Sequence, residues 1–267
     1  MFRVRQPIPR WQVVVLGTLS IALALAGYLY LSYRAYGRNP DDTTVPGLSK
    51  LVQGIRGLFE SNRKGEIDFF MDLRATSLRF LLGLALSSVI SAVLGVLMGC
   101  LPAVEAFFRP PLSFCSKLVP MAMLSVFFVM IGLKETLFLS IILFGIVPTL
   151  TLSVCNAAKK VPIQLVHKSY SLGASPMEVI WLVVFRMVFP DILRGAVLSS
   201  GPVLNYLIAA ETIAADVGFG YRIRILSRVL EMNTVFIYLV VLALGGYLMD
   251  QLFKAGNRTL CRWEEKR

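Results

Sequence analysis

Two long stretches without a charged residue constrain this chain more than any other feature. Residues 11–33 and 80–104 contain no Asp, Glu, Lys or Arg. A helix rises 1.5 Å per residue, so the first stretch is about 35 Å long as a helix. That length exceeds the roughly 30 Å hydrocarbon core of a bilayer. The chain is therefore expected to be a helical membrane protein.

The composition agrees with a membrane protein. Hydrophobic residues make up 56% of the 267 positions and charged residues 16%, with a mean hydropathy of +0.70. Soluble domains carry about 25% charged residues. The formal net charge is +11, but the basic residues lie between the apolar stretches and at the termini. This placement is typical of cytoplasmic segments of membrane proteins and argues against nucleic-acid binding.

No metal site or disulfide is expected. The cysteines at 100, 115, 155 and 261 form no Cys-x-x-Cys pair, and the single histidine, His167, has no neighbouring cluster of ligand residues. The cysteines are interpreted as small apolar side chains.

The hydropathy pattern predicts six membrane spans within one domain, 1–267. They cover residues 11–33, 75–101, 111–133, 136–158, 191–215 and 234–253. The remaining parts are a cytoplasmic N-terminus (1–10), an outer segment (34–74) with an interfacial helix near 48–59, a five-span core (75–254) containing a cytoplasmic loop (159–189), and a cytoplasmic tail (255–267). An even number of spans and the excess of Lys and Arg predict that both termini are cytoplasmic.

The loop at 159–189 contains residues that typically begin and end helices. Pro162 begins a short helix, Gly173 interrupts it, and Ser175-Pro176 starts another with Glu178 placed for a capping box. Pro190 is then predicted to open the fifth span. The pattern fits either a compact docking surface for a cytoplasmic partner or an ordinary loop with two interfacial helices.

This loop resembles the EAA loop of ABC-importer permeases, in which Glu-Ala-Ala precedes a glycine and a later Leu-Pro. Leu172-Gly173-Ala174 and Phe189-Pro190 match in kind and spacing. Further stretches resemble the branch that handles nitrate, sulfonates, taurine and bicarbonate. They are Ser77-Leu78-Arg79 with Gly83, Arg109-Pro110-Pro111-Leu112 with Lys117-Leu118-Val119-Pro120, and Ala210-Glu211 with Gly218-Phe219-Gly220-Tyr221.

The resemblance implies an all-α polytopic bundle with the type I importer fold in a bacterial-type inner membrane. It also implies a second permease, as copy or paralogue, two ABC ATPase subunits and an extracytoplasmic solute-binding protein. The chain has no phosphate-binding loop, so ATP and Mg are expected in the partner ATPase and no enzymatic activity in this subunit. The ATPase-coupling residues implied are His167, Lys168, Ser169, Leu172, Gly173, Ala174, Ser175, Pro176 and Pro190.

Two positions depart from the family pattern. His167-Lys168-Ser169 stands where Glu-Ala-Ala is usual, and Arg194 replaces a second proline. A partner ATPase with altered groove charges is therefore expected.

Two of the ionisable residues within predicted spans, Lys117 and Glu211, are candidates for a role in the pathway. Lys117 either reaches the cytoplasmic interface or lines the pathway and attracts an anion. Glu211 is either a structural carboxylate that ties the turn after it or a gating or substrate residue. Gly95 and Gly99 predict close helix packing in the second span.

The segment after Glu211 is expected beside the outer end of the pathway. Gly218, Gly220, Tyr221, Arg222, Arg224 and Arg228 form a turn and a basic amphipathic helix. Its arginines either steer an anion inward, contact acidic patches of a binding protein, or remain solvated.

These observations predict a permease subunit for a small anion of the nitrate, sulfonate, taurine or bicarbonate type. The alternatives are a secondary carrier and a permease for an uncharged or cationic vitamin precursor. A secondary carrier needs paired broken helices or intramembrane acids, and Glu211 alone supplies little of that.

Overall fold

A computed structural model describes residues 9–36, 68–133 and 135–260, and every regular element in these ranges is a helix. In chain order they are α1 (Arg10–Tyr36), α2 (Asp68–Cys100), α3 (Pro102–Cys115), α4 (Pro120–Ile131), α5 (Glu135–Lys159), α6 (Ile163–Ser171), α7 (Pro176–Glu178), a π-helical segment (Val179–Val184), α8 (Phe185–Ala214), α9 (Phe219–Arg228) and α10 (Met232–Leu260). The predicted all-α fold is confirmed. The interfacial helix predicted near 48–59 lies outside the described residues.

Three described helical stretches are long and apolar enough to cross a bilayer. They are Phe69–Cys100, Glu135–Lys159 and Met232–Leu252, and a fourth crossing results if α3 and α4 form one bent span. The predicted total of six spans stays a prediction.

The third predicted span, 111–133, is wrong as a continuous helix. It is divided between α3 and α4, which meet at an angle of 99°. Val119 is extended and Pro120 begins α4. A proline disfavours helical geometry in the residue before it, so the chain leaves the helix at this point. Lys117 therefore lies in a turn between two helices.

Pro190 does not open the fifth span. It lies inside α8, which the π-helical segment Val179–Val184 joins directly to the short helix α7. The helix therefore begins well before the proline. The missing N–H of Pro190 removes one hydrogen bond from its interior.

Helix α5 is the centre of the bundle. It packs against α2, α3, α4 and α8, and its residues Ile141 and Ile142 have no exposed surface. Helix α2 approaches α5 closely at glycines: a Cβ added to Gly95 would lie 2.6 Å from the Val154 Cβ. The close packing predicted for Gly95 and Gly99 is present.

The chain divides into two compact units. The first comprises Met1–Glu60 and Leu226–Ile237, and the rings of Tyr28 and Phe236 lie 6.2 Å apart within it. The second comprises Ser61–Ile225 and Tyr238–Arg267. The two clusters and the cleft described below lie in the second unit.

Candidate functional site

Polar side chains gather at one end of the second unit, where α2 and α5 begin and α8 ends. We call this cluster the polar brace, and it joins side chains to the backbone N–H groups of residues 218–220. The side chains are those of Asp72, Thr76, Arg79, Glu135, Glu211 and Arg222.

Glu211 is the central acceptor of the polar brace and has no exposed surface. Its Oε1 accepts from Arg79 Nη1 at 2.9 Å, and its Oε2 accepts from the Gly220 N–H at 3.0 Å. The Thr76 hydroxyl lies 3.0 Å from both oxygens and accepts from the Phe219 N–H at 3.0 Å. The carboxylate thus ties the turn after α8 to α2, which is the structural alternative predicted for Glu211.

Arg79 connects three elements. Besides Glu211, its Nη1 donates to the Val217 carbonyl at 2.8 Å, and its Nε donates to Glu135 Oε2 at 2.7 Å. The guanidinium also lies over the Phe138 ring, 4.2 Å from its centroid. The planar guanidinium has five N–H donors in a fixed geometry, which suits a site with several acceptors.

Asp72 anchors the start of α9. Its Oδ1 accepts from the Gly218 N–H at 2.9 Å and its Oδ2 from Arg222 Nε at 2.8 Å. The Asp72 side chain has no exposed surface, whereas the Arg222 side chain is 24% exposed. Arg222 therefore holds α9 against α2 by an ion pair.

Glycine is required at the turn that closes the polar brace. Gly218 has φ +132°, and a Cβ added to it would lie 2.7 Å from the Glu211 carboxylate. A Cβ at Gly220 would lie 2.5 Å from the Ile208 carbonyl oxygen. Both glycines let the backbone approach α8 closely, and from there the Gly218 N–H donates to Asp72 of α2 and the Gly220 N–H to Glu211 of α8.

The polar brace is an internal structural network. Both oxygens of Asp72 and both oxygens of Glu211 accept hydrogen bonds from within the chain. Removing charges from water is costly, and such pairing repays the cost only when the groups are fully hydrogen-bonded. The network therefore fixes the relative positions of α2, α5, α8 and α9.

The remaining residues predicted to line or gate the pathway make none of the hydrogen bonds that define the polar brace; they are Lys117, Tyr221, Arg224 and Arg228. Arg224 donates to the carbonyls of Ile213 and Ala215 at 3.0 and 3.3 Å, and its guanidinium lies 5.2 Å from the Tyr221 ring centroid. Lys117 and Arg228 are exposed. A role for these residues in solute transport stays a prediction.

At the opposite end of the second unit, the chain between α5 and α8 forms a projection that we call the knob, residues 162–178. Helix α6 ends in a Schellman motif: the Ala174 N–H donates to the Ser169 carbonyl at 3.1 Å and the Gly173 N–H to the Tyr170 carbonyl at 2.9 Å. Gly173 has φ +84°, a left-handed conformation that glycine adopts without strain. The predicted interruption of the helix at Gly173 is present.

The second helix of the knob begins with the predicted capping box. The Ser175 hydroxyl accepts from the Glu178 N–H at 3.4 Å, and the Ser175 N–H donates to Glu178 Oε2 at 2.7 Å. The hydrogen bond from the Ser175 N–H holds the pKa of Glu178 below its usual value. Pro176 occupies the first helical turn.

The knob exposes apolar side chains together with basic ones. Leu172 at the bend is 88% exposed, the largest fraction of any large hydrophobic residue among those described. Ile163 and Met177 are 63% and 61% exposed, and His167 and Lys168 are exposed as well. These three apolar side chains of the knob are not packed within the described part of the chain.

An ion pair fixes the base of this end. Glu105 of α3 accepts from Lys159 Nζ at 2.5 Å and also from Arg109. The last turn of α5 is thereby tied to α3, next to the point where the knob begins.

Four members of the polar brace were not predicted from the sequence to take part in a site: Asp72, Thr76, Arg79 and Glu135. Arg79 is an ionisable residue within α2 and within the predicted span 75–101, whereas a role was predicted only for Lys117 and Glu211 among such residues. A local signal existed, because residues 72, 76 and 79 follow the i, i+4, i+7 spacing of one helix face.

Among the described residues the fold is an all-α bundle with several helices long and apolar enough to cross a membrane. The profile of the family described as "binding-protein-dependent transport system inner membrane component" matches residues 83–260. The chain belongs to this family and is a permease component of an ABC importer.

Several curated relatives match most of the chain. A probable ABC transporter permease protein of Brucella abortus is 27% identical over 94% of this chain and 96% of its own. The taurine transport system permease protein TauC of Escherichia coli is 26% identical over 97% and 92%. A putative aliphatic sulfonates transport permease protein, SsuC of Bacillus subtilis, is 24% identical over 73% and 71%.

A solved structure shares the fold. The chain matches an inward-facing structure of the MetNI methionine ABC transporter with a TM-score of 0.62 and 17% identity. The match covers 74% of this chain and 98% of the other. The predicted type I importer permease fold is confirmed.

Proposed function

We propose that this permease conducts a small organosulfonate or similar anion across the inner membrane and is driven by a separate ABC ATPase docked on the knob. The relatives named for taurine and aliphatic sulfonates support the substrate class. Nitrate and bicarbonate belong to the same class of small anions. ATP and Mg are bound by the partner ATPase in this proposal.

The observation that carries the coupling proposal is the exposed Leu172 at the tip of the knob. Its side chain is 88% exposed at a bend whose backbone is fixed by a Schellman motif and a capping box. A rigid bend with an apolar tip suits insertion into a groove of another protein, because little conformational freedom is lost on binding.

The charge of the knob indicates the character of that groove. His167 and Lys168 are exposed at the positions where the family pattern has Glu-Ala-Ala. Electrostatic complementarity favours a groove with carboxylates near these residues. The cognate ATPase is therefore expected to discriminate against knobs that carry the usual acidic residue.

The complete importer in this proposal contains two permease subunits, two ATPases and an extracytoplasmic binding protein. The knob and both termini face the cytoplasm. Whether the second permease is a copy or a paralogue is decided by affinity purification of the tagged chain from its native membrane, followed by mass spectrometry.

Docking is tested by exchanging the residue at the bend. In proteoliposomes with the cognate ATPase and binding protein, Gly173→Val is expected to abolish transport, since a β-branched residue is strained at φ +84°. Gly173→Asn is the matched control, because asparagine tolerates this conformation, and it should retain transport. Leu172→Asp should lower solute-stimulated ATP hydrolysis without changing the melting temperature. Normal transport by both Gly173→Val and Leu172→Asp would refute docking through the knob.

The substrate class is tested in the same proteoliposomes by uptake of labelled taurine, ethanesulfonate and nitrate. Uptake of a sulfonate that requires ATP inside the vesicles supports the proposal. ATP-driven uptake of none of the three would refute the substrate class while leaving the docking proposal intact.

A further inference from the structure

A cleft of about 750 Å³ opens on the side of the second unit between α4, α8 and α10. Its walls are mostly apolar. The polar residues lining it are Ser200, Asn205, Tyr247 and Asp250. A cleft of this size accommodates a small solute and fits the usual pattern of an apolar pocket with a few placed polar groups.

Asp250 is the one charged residue among the described residues that line this cleft. It lies within the apolar stretch Met232–Leu252, which is long enough to span a bilayer, two residues before the end of that stretch. Ionisable residues within membrane-spanning segments usually face the interior of the bundle or a water-filled cavity and mark a solute or ion pathway. Asp250 lines the cleft and therefore marks it as a candidate for such a pathway.

The setting of Asp250 differs from that of the carboxylates in the polar brace. Its Oδ1 accepts from the Ser200 hydroxyl at 2.7 Å. A neutral hydroxyl orients a carboxylate but does not neutralise its charge. Asp72 and Glu211, by contrast, each accept a hydrogen bond from an arginine. Asp250 is thus a negative charge oriented on the wall of a cleft.

We propose that this cleft is the part of the solute pathway that this subunit lines and that Asp250 binds an ammonium group of the solute. The exposed Asn205 amide supplies N–H donors for the anionic end. The proposal rests on the proposed function for the sulfonate end of the solute. It narrows the substrate class to zwitterionic amino-sulfonates such as taurine. Sulfonates that lack an amine are expected to be poorer substrates.

The charge preference of the cleft is measured without knowing the solute. In a variant whose four cysteines are replaced by alanine, Asn205→Cys is labelled with a cationic trimethylammonium or an anionic sulfonate methanethiosulfonate reagent. The ratio of cationic to anionic labelling rates should exceed that of a free thiol by about tenfold, because a charge in a cleft concentrates ions of opposite sign. Asp250→Asn should remove this excess, and Asp250→Glu should retain it.

Asp191→Asn is the matched control. Asp191 is an exposed carboxylate of α8 that pairs with Arg194, and it does not line the cleft. Its loss should leave the labelling ratio unchanged. A ratio equal to that of a free thiol, or one unaffected by Asp250→Asn, would show that Asp250 does not set the charge of the cleft and would overturn the proposal.

Transport then tests the amine selectivity. Asp250→Asn should lower the ratio of taurine to ethanesulfonate uptake about tenfold relative to the unmodified chain, since one ionic contact is lost. The binding protein is the same in both measurements, so its own preference cancels. An equal fall for both solutes would overturn the selectivity while leaving sulfonate transport in place. Failure of the unmodified chain to take up either solute would refute the sulfonate proposal, and the labelling ratio would still decide the role of Asp250.

Discussion

The two ends of the second unit use polar residues in opposite ways. In the polar brace, Asp72 and Glu211 are buried and every carboxylate oxygen accepts a hydrogen bond from the chain itself. On the knob, His167, Lys168 and Leu172 project outward. The contrast shows that a buried charge or an exposed apolar side chain in a membrane protein indicates a function only when its contacts within the chain are known. A saturated buried charge stabilises the bundle, whereas an exposed apolar bend is available to a partner.

The largest expected effect is the loss of Arg79. Arg79→Leu leaves Glu211 buried without its charged partner, which should destabilise the protein by about 3–5 kcal/mol. The measurement is thermal unfolding of the purified chain in detergent, together with its level in the membrane.

Arg194→Leu is the control for that substitution. Arg194 is 52% exposed and pairs with Asp191 on the same helix. Its replacement should change stability by no more than about 1 kcal/mol. Equal melting temperatures for the two variants would show that the polar brace contributes no more than a surface ion pair.

Two glycines with positive φ, one at each end of the second unit, differ in the space around them. A Cβ at Gly218 meets the Glu211 carboxylate at 2.7 Å, whereas a Cβ at Gly173 has nothing within 4 Å. Gly173→Ala should therefore cost only the backbone strain, about 1–2 kcal/mol. Gly218→Ala should cost a further 1–3 kcal/mol or so through overpacking.

Thermal unfolding of both alanine variants under one condition measures this difference. The order of the two melting temperatures is the decisive result. A lower melting temperature for Gly173→Ala than for Gly218→Ala would contradict the crowded geometry of the turn at Gly218.

The smallest expected effect concerns the capping box. The folded-state pKa of Glu178 is lowered, so its contribution is fully present above the unfolded pKa of about 4.3 and is lost as the pH falls through the folded pKa. Amide exchange at Ser175, corrected for its intrinsic rate, should stay constant from about pH 7 to 5 and quicken below about pH 4.

Glu178→Gln is the control that keeps the capping box but removes the titrating carboxyl group. Glutamine also completes a capping box, so its Ser175 amide should show no change across the same range. Acid-induced quickening in Glu178→Gln as well would assign the change to another group.

The sequence predicted the parts of the fold that depend on local information. Uncharged apolar runs predicted helices, and Gly173 and Ser175-Pro176 predicted the bend and cap, because these signals act within a few residues. The break at 116–119 was also local, since Pro120 follows Val119, but the apolar composition on both sides obscured it.

The polar brace could not be predicted from local sequence signals, because it is made of contacts between residues that are far apart in the chain. Thr76 and Glu211 are 135 positions apart, and Arg79 meets both Glu135 and Glu211 only after three helices have packed. The spacing of 72, 76 and 79 identified a shared helix face. It did not identify what that face would contact.

The chain is helical without interruption from Pro176 at the knob, through the π-helical segment, to Ala214 beside the polar brace. At 1.5 Å per residue this rod is nearly 60 Å long, roughly twice the hydrocarbon thickness. Within α8 it has two weak points, Pro190 and Pro202, where a backbone hydrogen bond is missing. Pro202 directly follows Gly201 in the wall of the cleft. A tilt imposed at one end is therefore expected to appear as bending beside Asn205, since the other end is anchored.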